Sequence, residues 1–142
     1  MPAKIRKSTR STADSLTPAT EKDVRVRVFE GHGNFVVRVA MPEDGRFALT
    51  SSLDGNVLKW ELDNRDALSE IASVGHPFAL AVTTNGSHAA TGDTAGTICF
   101  LDLGSGQVLA KWQAHAKPIR NLAFLTEGHE LLSVAEDNYL QR

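Results

Sequence analysis

The sequence predicts an all-β protein assembled from one repeated unit of short antiparallel strands. Three observations carry this. From Val24 onward, short runs rich in β-branched and aromatic residues alternate with Gly, Asp and Asn turns. No stretch holds the apolar period of an amphipathic helix. The turn glycines Gly45, Gly86 and Gly128 recur at intervals of 41 and 42 residues.

Residues 1–22 show neither period and are rich in Ser, Thr, Lys and Arg. They predict a flexible basic tail, because so little apolar surface cannot offset the entropy of ordering. An Arg-rich, acid-poor start also fits a transit peptide or a phosphorylated arm. The repeat region is read as 23–142, with units at about 24–62, 67–103 and 107–142.

Val24, Val26 and Val28 alternate with Arg25 and Arg27, as in a half-exposed outer strand. A strand at 35–41 follows Gly31-His32 and ends at the Asp44-Gly45 turn. Residues 47–52 and 57–60 form a hairpin about Asp54-Gly55, where Asp bonds its own backbone and Gly accepts positive φ. Residues 62–66 are a polar loop, and 67–74 a second outer strand. Further strands are read at 78–83, 89–92, 97–103, 107–113, 119–124, 131–135 and 138–142, about twelve in all.

The units align on the turns at Asp54, Ala95 and Asp137. One residue on stand Gly55, Gly96 and Asn138, which tolerate left-handed backbone. Three residues on stand Val57, Ile98 and Leu140, read as inward positions. Four residues before stand Thr50, Thr91 and Ser133, always a hydroxyl. His32 precedes Asp54 by 22 residues, and Trp60 follows it by 6.

That Gly-His, Asp, Trp spacing resembles a WD repeat, the unit of a β-propeller blade of four antiparallel strands. The resemblance implies a polar chain across each blade: indole N–H to hydroxyl, hydroxyl to His, His to Asp. In the first repeat those residues are Trp60, Thr50, His32 and Asp54; in the third they are His115, Ser133 and Asp137. Buried polar groups must be satisfied, and four such groups can satisfy one another. The second repeat keeps Thr91 but carries Ala95 and Leu101 where Asp and Trp are expected. Its His76 stands only 19 residues before Ala95, so it reads as a plain loop histidine. Packing of Leu80, Val82, Ile98, Cys99 and Phe100 is expected to hold that blade. His, Asp and a hydroxyl also suggest a hydrolytic triad, but recurrence of the set in the third repeat favours a structural role.

The net charge is −2, split between +3 in residues 1–22 and −5 in the rest. An acidic body argues against nucleic-acid binding. One cysteine, Cys99, leaves no internal disulfide or cysteine zinc cage, and its strand position points to inert packing. No apolar run suits a membrane span or signal peptide, which points to the cytoplasm. His88 and His129 lack partners at metal spacing and read as surface histidines. Asn85-Gly86-Ser87 matches a glycosylation acceptor, but the hairpin turn needs the same residues.

The resemblance implies a non-catalytic platform for protein partners, with no cofactor and no metal. Its contact face maps to Asn34, Phe35, Val37 and Leu53, then Pro77, Phe78 and Thr94, then Lys117, Arg120 and Glu136. Phe35, Phe78 and Arg120 are hot-spot residue types, though the two phenylalanines also begin inner strands that could pack between blades. Arg142 lies five residues after Asp137, one short of the indole position. Three repeats do not close a ring, since propellers use about 4–8 blades. The chain is therefore expected to be a piece of a longer propeller, to pair with a copy into a six-bladed ring, or to complement another chain or domain. The alternative to a binding module is a structural arc that completes a propeller by homodimerisation or as part of one attached to an enzyme or cytochrome domain.

Overall fold

Thirteen strands and no α-helix occupy the described residues of the computed structural model, which are 4–7, 27–63, 68–73, 75–125 and 128–142. The chain divides into two units, Met1–Gly31 and His32–Arg142. In the first, β1 (Lys4–Lys7) pairs antiparallel with β2 (Arg27–Glu30). This corrects the sequence reading at 4–7, which found no strand there. A ladder is made by backbone groups, so a four-residue strand among charged residues shows no apolar alternation to detect.

The second unit contains three successive antiparallel sheets. The first holds β3 (Val36–Ala40), β4 (Phe47–Ser52), β5 (Asn56–Glu61) and β6 (Leu68–Ser73) in chain order. The second holds β7 (Pro77–Val82), β8 (His88–Asp93), β9 (Thr97–Asp102) and β10 (Val108–Gln113). The third holds β11 (Ile119–Phe124), β12 (Leu131–Ala135) and β13 (Leu140–Gln141). These are consecutive propeller blades, and among the described residues they do not close a ring. Val24 to Val26 of the first expected strand, most of the expected tail, residues 64–67, Val74 and Glu127 lie outside the described residues.

Packing explains why the second sheet is the most apolar. One core contains Phe47, Leu49 and Val57 of the first sheet with Leu80, Ala89, Cys99 and Leu101 of the second. A second core contains Ala79, Ala81, Ala90 and Ile98 with Ile119 and Leu122 of the third sheet. Neighbouring residues such as Leu80 and Ala81 thus point into different cores, as strand geometry requires. A sheet buried on both faces needs apolar residues at successive positions. Cys99 belongs to the first core, and burial pushes its thiol up.

The equivalent residue to Val57 and Ile98 in the third sheet is Leu140, which is 65% exposed. The inward reading of Leu140 is therefore corrected: no described strand covers that face of β13, whereas a neighbouring sheet covers Ile98. Phe100 is half-buried and stacks on His88 rather than joining either core.

The β-turns after β4, β8 and β12 place Gly55, Gly96 and Asn138 at φ of 91°, 85° and 70°. Gly96 does more than turn. Its carbonyl accepts the N–H groups of both Ala114 and His115 at 3.0 Å. A Cβ on Gly96 would collide with the His115 carbonyl oxygen, whereas a Cβ on Gly45, at φ 64°, meets nothing within 4 Å. Gly45→Ala should therefore cost about 1–2 kcal/mol, the left-handed penalty alone. Gly96→Ala should cost more than about 2 kcal/mol, because strain and collision act together. Urea unfolding midpoints of the two variants would show this order; equal midpoints would contradict it.

Candidate functional site

A polar relay fixes the end of the first sheet. His32 and Thr50 stand on different segments, and Asp54 holds the turn between β4 and β5. The His32 Nδ1–Asp54 Oδ2 distance is 2.9 Å, and His32 Nε2 lies 2.6 Å from Thr50 Oγ1. The indole Nε1–H of Trp60 donates to the same Thr50 oxygen at 2.7 Å. The ionised carboxylate only accepts, so Nδ1–H donates to Asp54 and Nε2 receives the Thr50 hydroxyl proton. Asp54 also accepts from the backbone N–H groups of Gly33 and Asn56. Burial acts to raise its carboxyl, but the bonds from Asn56, Gly33 and His32 outweigh it and hold the group below the usual carboxylate range.

The third sheet repeats the arrangement without an indole. His115 Nδ1 lies 2.8 Å from Asp137 Oδ2, and Nε2 lies 2.8 Å from Ser133 Oγ. His115 and Ser133 are both buried. At Asp137 burial again acts upward, and bonds from Tyr139, His115 and Ala116 lower the carboxyl overall.

The second sheet solves the turn differently. Asp93, two residues before Ala95, accepts from the N–H groups of Ala95 and Thr97 at 2.9 and 2.8 Å. Thr91 and Cys99 are both buried, and His76 is exposed. Sequence reading fixed on Ala95 and missed Asp93. The signal was present, because an Asp opening an Asp-Thr-Ala-Gly turn caps its own backbone.

A second feature recurs in all three sheets. The inner strands β3, β7 and β11 each carry a register shift near their start. The residues inside the shifts are Val37, Phe78 and Arg120. A bulge bends the strand and re-aims the extra side chain. The Arg120 guanidinium lies over the Phe78 ring, 5.0 Å from its centroid, and it pairs with Glu136. Phe78 is therefore half-buried under a cation, while Phe35 is 77% exposed and does not pack between blades. Asn34 Oδ1 accepts the Phe35 N–H, and the Phe35 carbonyl accepts the Leu53 N–H. Val37 and Leu53 are half-buried; Asn34, Thr94 and Lys117 are exposed. The structure thus brings Phe78, Arg120 and Glu136 into contact and sets Phe35 apart as a free ring. Sequence spacing cannot reveal a bulge, since the shift exists only between paired strands.

Trp60→Phe removes one donor and leaves Thr50 bonded to His32, so it should cost about 1 kcal/mol. Asp54→Asn weakens the His32 link and the backbone caps together and should cost about 2–3 kcal/mol. The two carboxyls titrate lower when folded, so the unfolded chain binds protons more readily. Their stabilisation is complete above about pH 4, the ordinary carboxylate value, and is lost as pH falls through the lowered values. Urea midpoints should be flat from neutral pH to about pH 4.5 and fall below it, less steeply in Asp54→Asn. An equally steep fall in that variant would contradict the assignment.

Comparison with known proteins follows the same lines. A family model described as "WD domain, G-beta repeat" matches residues 23–61. The chain is similar to a WD repeat-containing protein 91 homolog from Dictyostelium discoideum, 30% identical over 108 residues, covering 72% of this chain and 14% of that protein. It is also similar to a WD repeat-containing protein 55 homolog from Drosophila erecta, 29% identical, covering 84% of this chain and 24% of that one. The chain thus spans well under half the length of these relatives. A solved structure described as "Crystal structure of RRP9 WD40 repeats" superposes with a TM-score of 0.71 at 20% identity, over 78% of this chain and 36% of that one, which shows the shared fold. With the recurring turns, the four-stranded blades and the matched repeat, the chain belongs to the WD-repeat family.

Proposed function

We propose that this chain is a non-catalytic protein-binding platform whose contact surface is the bulged rim. WD-repeat proteins generally serve as protein-interaction scaffolds, and one further relative is a Lissencephaly-1 homolog from Caenorhabditis briggsae, 29% identical over 78% of this chain. The single observation that carries the reading is the bulge repeated in β3, β7 and β11. It turns Val37, Phe78 and Arg120 out of the ladder at equivalent places. Beside them, Phe35 offers a solvated ring and Arg120 with Glu136 a polar contact, the mixture of anchor and rim found in specific interfaces. The hydroxyls of Thr50 and Ser133 are both engaged in relays, which supports a structural rather than a nucleophilic role.

A second reading is supported by the flanks. Val36, Val39 and Met41 are exposed near β3, and Tyr139 and Leu140 near β13. Such apolar flanks suit packing against further blades, supplied by a second copy or a linked domain. In this reading the chain is a structural arc.

Two substitutions test the rim. Phe35→Ser and Arg120→Glu should each weaken capture of cross-linked partners by about tenfold, roughly 1.4 kcal/mol. Phe35 is exposed, so the Phe35→Ser midpoint should stay within about 0.5 kcal/mol of wild type, whereas Arg120→Glu also removes the surface pair with Glu136 and should lose about 1 kcal/mol. Capture unchanged in both variants would reject the rim. Loss of capture only on disrupting a dimer, seen by light scattering, would favour the arc.

A further inference from the structure

At the far end of the strands from the rim, three successive turns enclose a cleft of about 700 Å³. Glu43 comes from the β3–β4 turn, Thr84 to Ser87 from the β7–β8 turn, and His129 from the β11–β12 turn. His88 and Phe100 form its wall. The size lies within the range of about 300–1,000 Å³ typical of ligand pockets.

The cleft is tied together before any ligand arrives. The Glu43 N–H donates to the Thr84 carbonyl at 3.1 Å, and the Leu103 N–H to the Ser87 carbonyl at 3.0 Å. Asn85 Oδ1 accepts the Ser87 N–H, which orients the amide. The Ser87 hydroxyl then donates to that oxygen at 2.7 Å. Its proton being spent, Ser87 Oγ must accept from His88 Nδ1, also at 2.7 Å. The other ring nitrogen, His88 Nε2, stands 3.8 Å from Asp102 Oδ2.

This makes an acceptor-rich site in which Glu43 is the lining carboxylate. Glu43 makes no ion pair among the described residues. The nearby Arg46 is occupied: Nη1 lies 3.5 Å from Asp44 and Nη2 donates to the Asn85 carbonyl at 3.0 Å. The His88 and Phe100 rings, both lining the cleft, stack on each other at 5.0 Å with planes 7° apart. An anionic ligand would meet the Glu43 carboxylate. An ammonium would satisfy the charge but not the wall. A guanidinium is cationic, planar and forked, and it lies well on flat aromatic surfaces.

We propose that this cleft binds an arginine side chain presented by a partner protein. The assignment is independent of the rim, because its residues and its end of the blades are different.

The test is a titration of the full ¹⁵N-labelled chain with acetyl-Gly-Arg-Gly-amide, followed by backbone amide shifts. Saturable shifts should centre on Glu43, Ser87, His88 and Phe100. The citrulline peptide, isosteric but uncharged, should bind about tenfold more weakly, and the lysine peptide should also be weaker. Glu43→Gln should weaken arginine binding several-fold while the rest of the spectrum is unchanged, and Phe35→Ser should leave it intact. Equal binding of citrulline and arginine, shifts centred on the rim, or wild-type affinity in Glu43→Gln would each overturn the proposal. Tighter binding of free arginine than of the peptide would overturn the partner-protein source.

Discussion

Burial of β7, β8 and β9 of the second sheet on both faces is the constraint from which the other features follow. These three strands must supply apolar side chains at consecutive positions, and they do: Leu80 and Ala81, Ala89 and Ala90, Ile98 and Cys99 enter opposite cores. Once both faces are dry, a slip of one residue no longer exchanges an apolar face for a polar one. Hydrophobic patterning alone therefore specifies register poorly in such a sheet. Something directional has to set it, and that need accounts for the polar devices at the turns.

The three sheets meet the need in two ways. The first and third use a histidine that spans from the preceding loop to a strand hydroxyl and a turn carboxylate. The second uses Asp93 to cap its own turn, with Thr91 and Cys99 buried behind it. A buried relay is costly if one member is missing, so partial retention of it would be worse than its replacement. The second sheet is also the one packed on both sides by described neighbours, and there the Asp93 cap supplies the directional bonds that the relay supplies elsewhere.

With the register set, both ends of the blades become available for recognition, and their chemistry differs. The rim end combines an exposed ring, a cation resting on a second ring, and an ion pair. The far end combines acceptors around a stacked histidine and phenylalanine. His88, read from the sequence as a surface histidine, is instead half-buried with contacts to Ser87 and Phe100; nothing about its sequence neighbours announces a stacking partner twelve residues away. The glycosylation-like Asn85-Gly86-Ser87 is accounted for locally, since Asn85 Oδ1 accepts from Ser87 and Thr83.

The sequence by itself determined the class of fold, the strand series from Val36 to Gln141, and the turns at Gly55, Gly96 and Asn138. These depend on local alternation, on backbone that Gly and Asn accept, and on a repeat that copies one unit three times. The relay residues were legible for the same reason, because their spacing is carried along the chain. Only tertiary structure decided the β1–β2 pairing, the role of Asp93, the exposure of Phe35 and Leu140, and the bulges at Val37, Phe78 and Arg120. Each of these is set by which strand or sheet lies alongside, and a partner distant in sequence leaves no periodic mark on the residues it covers, pairs or leaves bare.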